Sequence, residues 1–151
     1  MRTRLRNHRG YSVTELVVVL GVIAVVSAIV VISAVAAWPA LQLRWAAREI
    51  QAGLNRGRML ALTTRQSVCV EVLASGYRFR RGTCAGVVWA DAQTDATGLM
   101  RVSGNPTLTS SNSPLFSPFG NARQTGTVTV AVAGSGSQTV TVTSSGRVTI
   151  P

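Results

Sequence analysis

The 151-residue chain changes its hydrophobic period twice. Between residues 16 and 37 it is apolar almost without a break, interrupted only by Gly21, Ser27 and Ser33. As a helix this run spans about 33 Å at about 1.5 Å per residue, which matches the hydrocarbon core of a bilayer. From residue 40 to about residue 66 the apolar positions thin to a stripe, Leu43, Ala47, Ile50, Leu54, Gly57 and Ala61, recurring every three or four residues. That spacing predicts an amphipathic helix that continues out of the run and turns its stripe toward a globular core. Arg44, Arg48, Gln51, Asn55 and Arg58 form a polar stripe beside it, read most simply as a solvated face. Gly53 and Gly57 each weaken a helix by about 1 kcal/mol relative to Ala, and their place at the edge of the apolar stripe predicts a sheet packed closely there.

After Gln66 the period becomes alternating. "SVCVEV" and "YRFR" flank "LASG" as a hairpin, "GVVWA" follows, and "TVTVAVA" and "QTVTVT" flank "GSGS" before a closing "RVTI". In the third hairpin strand Val128, Val130 and Val132 point one way and Thr127, Thr129 and Ala131 the other. Residues 103–122, rich in Ser, Pro, Asn and Gly, read as a long loop. The expected architecture is α+β, with residues 11–39 a membrane and assembly helix, 40–66 its amphipathic continuation and 67–151 an antiparallel β domain. A helix break is expected at Pro39, the first proline. About 114 residues lie beyond the apolar run, enough for one small domain.

Charge gives the run a direction. Arg2, Arg4, Arg6 and Arg9 precede it without an acidic residue among them, so the N-terminus is expected in the cytoplasm and the remainder outside, with a single span. Two plain readings compete: a secretory signal peptide ending at Ala34-Val35-Ala36, and a simple membrane anchor. The run is longer than the usual signal-peptide core of about 7–15 residues, and neither reading explains Glu15 at its head. A carboxylate in a membrane segment costs about 2.5–3.5 kcal/mol by insertion scales and persists where a partner or function offsets it. If the chain is cut between Gly10 and Tyr11, the new α-amine is a cation at membrane depth, one helical turn from Glu15.

A short basic leader ending in Gly10, an aromatic Tyr11, Glu15 at the fifth position after the cut and an apolar helix resemble the type III signal of type IV pilins and type II secretion pseudopilins. The resemblance implies that residues 1–10 are removed by a prepilin peptidase in the inner membrane, that the new amine at Tyr11 is methylated, and that Glu15 neutralises the N-terminus of an adjacent subunit during fibre assembly. Tyr11 stands where Phe is customary, and Ile32 where many pilins carry Pro. Farther along, "AAREIQAGLNRGRMLALTTRQSVCVEV", "GVVWADAQTDATG", "FSPFGNAR" and "SSGRVTI" are similar to segments of the GspH/FimT minor pilins and pseudopilins. That similarity implies a minor subunit near the tip of a fibre, with other pilin or pseudopilin subunits as partners, in either a type IV pilus or a type II secretion apparatus.

Enzymatic chemistry is poorly supported. His8, the only histidine, lies in the leader, so the mature chain has no imidazole for base catalysis or metal binding. Asp91 and Asp95 sit in "DAQTDATG", which has too few acidic ligands at the wrong spacing for an EF-hand and reads as a polar turn. No cofactor or metal is expected. Cys69 and Cys84 are the only cysteines. The expected topology puts both in an oxidising compartment, where the hairpin brings them within reach of a bridge of about 3 kcal/mol; the alternative is two separately buried thiols.

All 15 basic residues are Arg, against 5 acidic ones. Loss of the leader removes four, leaving a formal charge of +6. Arg78, Arg80 and Arg81 cluster on one strand, with Arg123 and Arg147 elsewhere, so weak, sequence-independent DNA binding is a further candidate role. In some FimT-like pilins a C-terminal Gly-Arg-x-Arg element is associated with DNA uptake. The corresponding stretch here is Gly146-Arg147-Val148-Thr149, with Thr149 in place of the second Arg.

Overall fold

The structure is a computed structural model that describes residues 12–92 and 94–151, excluding the side chains of residues 29–34 and 36. It forms two compact units, divided between Ala37 and Trp38. A single helix, α1 (Val13–Thr64), begins in the first and ends in the second. The break expected at Pro39 does not occur, because Pro39 lies inside α1. Proline fixes φ near the helical value and forfeits one ladder hydrogen bond, and packing resumes a turn later at the buried Leu43, Ala46 and Ala47. The helix stops where Arg65 turns left-handed (φ 52°).

Among the described residues the second unit carries nine strands: β1 (Val68–Leu73), β2 (Gly76–Arg81), β3 (Met100–Arg101), β4 (Thr107–Ser110), β5 (Leu115–Phe116), β6 (Ala122–Gln124), β7 (Gly126–Val132), β8 (Gly136–Val142) and β9 (Val148–Thr149). They form two antiparallel sheets, ordered β3-β2-β1-β5-β6 and β4-β7-β8-β9. Both expected hairpins form. In the first, the turn sets Leu73 against Gly76, so Glu71 falls opposite Arg78 and Cys69 opposite Arg80. "GVVWA" makes only a single bridge, Arg80 to Val88, since the chain folds back on β2 through Arg81 N to Val87 O and Trp89 N to Phe79 O.

The amphipathic stripe of α1 enters the core as its spacing requires: Leu43, Ala47, Ile50, Leu54 and Ala61 are all buried. They join Val68, Val70, Tyr77, Phe79 and Phe116 of the first sheet and Leu108, Val128, Val130, Val140 and Val142 of the second in one apolar cluster. The two helical glycines give the sheet its approach. A Cβ on Gly53 would overlap the Tyr77 ring, and one on Gly57 would overlap a Val70 methyl.

Two further expectations are corrected. The segment 103–122 is not a long loop, for it contains β4 and β5 and buries Leu108 and Phe116. Its backbone groups are shared between the sheets: β4 pairs with β7 in the second and β5 with β1 and β6 in the first, while Val70 N donates to Pro114 O and Leu108 N to Ala74 O, as buried peptide groups require. Nor is the polar stripe of α1 wholly solvated. Arg58 Nε donates to Gly120 O at 2.8 Å and Gln51 Nε2 to Val148 O at 3.2 Å, so two of its five members tether the helix to the β-layer.

Candidate assembly surface and basic clusters

Gly10 and Tyr11 lie outside the described residues. Ser12 stands just before α1 and its carbonyl takes the first ladder bond: Leu16 N donates to Ser12 O at 3.1 Å, and the Ser12 and Thr14 hydroxyls are 2.8 Å apart. Glu15 therefore occupies the first helical turn, where free N–H groups and the helix dipole favour a negative charge. Its side chain is exposed.

Every large apolar side chain between residues 13 and 26 is at least 46% exposed. A helix apolar on all its faces needs a lipid or protein environment. Among the described residues, no helix is long and apolar enough to cross a membrane; the part of the run with described side chains is shorter than the about 20 residues a crossing requires.

The basic residues divide into engaged and open groups. Arg78 holds Glu71 in a bidentate contact through one guanidinium edge, Nε to Oε2 at 2.6 Å and Nη2 to Oε1 at 3.1 Å, and Arg80 Nε donates to the same Oε2. These bonds, led by the one from Arg78, hold the Glu71 carboxyl below its usual range against the opposing effect of burial. Arg80 also reaches Gly86 O at 2.8 Å, and Arg81 stacks 4.1 Å above the centre of Trp89. Together with a disulfide between Cys69 and Cys84 (Cα–Cα 5.1 Å), these contacts pin the segment after β2 to the outer face of the first sheet. Arg123 and Arg147 are exposed, on β6 and on the turn before β9. The five candidate DNA-binding arginines thus comprise three that brace the fold and two that stand open.

In the polar turn, Asp91 pairs with Arg56, and Asp95 Oδ1 accepts from Thr97 N, Thr97 Oγ1 and Leu99 N. The bonds from Thr97, then Leu99, lower the Asp95 pKa. Both carboxylates are occupied by local donors. Among the described residues, no group of three or more His, Cys, Asp or Glu is placed to hold a metal ion.

Sequence reasoning missed the exposed face of α1 within the second unit. Trp38 and Trp45 meet edge to face at 5.8 Å and are each 52% exposed, with Leu41 between them also exposed. The signal was available, since tryptophans seven residues apart share one helix face.

A long helix packed by one stripe on antiparallel sheets is the architecture of a type IV pilin-like subunit. The chain belongs to the GspH family, "Type II transport protein GspH", whose sequence model matches residues 46–146. Its fold is similar to that of the type IV minor pilin FimU of Pseudomonas aeruginosa (TM-score 0.54, 18% identity), covering 72% of this chain and 87% of FimU. It is also similar to the minor pseudopilin EpsH from the type 2 secretion system of Vibrio cholerae (TM-score 0.56, 12% identity), covering 73% of this chain and 96% of EpsH. At these identities the likeness is one of fold. No curated protein sequence matches the chain.

Proposed function

We propose that this chain is a minor pilin that helps initiate or cap a type IV pilus. On this reading a prepilin peptidase removes residues 1–10, the apolar segment anchors the subunit by a single pass in the inner membrane with its N-terminus inside, and the β domain faces the periplasm before assembly with other pilins. The observation that carries it is Glu15 in the first turn of an exposed apolar helix that leads into a GspH-family domain. A free amine at Tyr11 gives each subunit a cation, and Glu15 offers its neighbour the counter-charge within an apolar bundle, where an unpaired charge is costly.

The second reading, a minor pseudopilin of a type II secretion apparatus, is supported by the fold likeness to EpsH. Both readings use the same physics in different machinery. Deleting the gene and counting surface pili and secreted type II substrates in parallel separates them. Loss of pili with intact secretion agrees with the first; loss of secretion with intact pili replaces it with the second. A DNA role would rest on Arg123 and Arg147, which are exposed, with Arg78, Arg80 and Arg81, engaged by Glu71 and Trp89, contributing charge at long range.

A further inference from the structure

Two adjoining grooves of about 490 and 400 Å³ open beside the first turns of α1 in the second unit and share Arg44, Gln138 and Pro151. Ser135, Ser137 and Thr139 line one, and Arg48 lines the other. No ion pair among the described residues takes up Arg44 or Arg48, and both are exposed. Gln138 Oε1 is buried without a hydrogen-bond partner among the described residues. The site therefore presents two cations beside a wall of polar residues.

Its surroundings decide what enters it. At about 100° per residue, the circuit around α1 runs from the groove-lining Ala40 and Leu43 to Arg44 and Arg48, and then to Leu41, Trp45 and Trp38. The guanidiniums thus separate a polar groove from an exposed aromatic and aliphatic stripe. Trp38 follows directly on the apolar run in sequence. Tryptophans next to arginines at the end of an apolar helix are the residues that settle at the headgroup level of a bilayer, and guanidiniums there attract anionic lipid.

From this arrangement we infer that the groove beside Arg44 and Arg48 binds the headgroup of an anionic glycerophospholipid of the phosphatidylglycerol type. Its phosphate lies between the two guanidiniums, and Trp38, Leu41 and Trp45 lie against the acyl border. The site rests on the reading that the apolar run lies in the bilayer. It gives the subunit a seat on the membrane surface, from which assembly must lift it.

The test uses the full chain with Trp89→Phe, so that emission comes from Trp38 and Trp45, reconstituted in phosphatidylcholine vesicles. Either phosphatidylglycerol or a matched share of phosphatidylcholine carries bromine on its acyl chains near the headgroup. Stronger quenching by brominated phosphatidylglycerol is expected. Arg44→Gln with Arg48→Gln should retain quenching by brominated phosphatidylcholine while losing the preference for the anionic lipid, by about fivefold for each guanidinium removed. Equal quenching by both lipids in the parent protein overturns the site. So does a preference abolished by millimolar inorganic phosphate at constant ionic strength, which would assign the groove to a free anion. Emission that changes with protein-to-lipid ratio but not with bromine would assign the stripe to a second copy of the chain. Alkaline extraction separates the two layers of the inference: a chain that stays in the vesicles without a phosphatidylglycerol preference keeps its anchor and loses the headgroup site, whereas a chain that washes off loses the anchor itself.

Discussion

Gly57 in α1 lies so close to Val70 in β1 that a Cβ at position 57 would overlap a Val70 methyl, with the Phe79 ring beside it. Val70 is fully buried and branched at Cβ, so it has little freedom to withdraw. Gly57→Ala gains about 1 kcal/mol of helix propensity but overpacks the core by about 1–3 kcal/mol. The expected outcome is a lower thermal midpoint, read by circular dichroism on detergent-solubilised protein. A raised midpoint would mean that the helix and sheet are less closely seated.

Glu71 makes stability depend on pH in one direction. Its folded-state pKa is depressed, so the contribution of the Arg78–Glu71–Arg80 cluster is complete above the unfolded value of about 4.3. That contribution is lost as pH falls through the folded value. Denaturant midpoints should fall on acidification below about pH 4.3. Glu71→Gln should lower stability near neutrality by about 1–2 kcal/mol and remove this part of the acid dependence. An unchanged acid slope in the variant would assign the dependence to other carboxylates.

Cys69 and Cys84 should resist thiol labelling in denaturant until a reductant is added. Cys84→Ser should lower stability by about 3 kcal/mol on the chain-entropy account and free the segment after β2 to proteolysis. Labelling of both residues without reductant would contradict the bridge.

Much of this was legible before the fold was known, for reasons particular to each element. The helix stripe from Leu43 to Ala61 and the alternation of Val128 and Val130 repeat over enough residues for their period to show which side is buried. β4 and β5 have no such length: each contributes one deeply buried apolar side chain, Leu108 or Phe116, between turn residues. A period cannot be read from a single position. The tethers from Arg58 to Gly120 and Gln51 to Val148 bridge 62 and 97 residues and end on main-chain carbonyls, which leave no mark on side-chain identity. The Glu71–Arg78 pair was within reach, since the two-residue turn of the first hairpin fixes the register that sets them opposite.

For DNA, the open arginines set the expectation. The solubilised full chain should retard duplex DNA at low salt without sequence preference and release it as salt rises, with dissociation constants of about 10⁻⁴–10⁻⁶ M at physiological salt. Arg147→Ala should weaken this modestly, whereas Arg78→Ala should act mainly on stability because its guanidinium is committed to Glu71. Absence of retardation even at low salt would remove the DNA role.

The central claim is that the chain is cut after Gly10 and keeps its apolar helix, with Glu15 serving assembly. Glu15→Ala should still be inserted and cut, yet enter fibres poorly, as read in sheared surface fractions. The most direct measurement is the intact mass of the protein extracted from membranes. A mature chain beginning at Tyr11, with or without one added methyl group, is the expected result; a product beginning at Ala37 would mean a conventional signal peptide and would rule out the pilin reading.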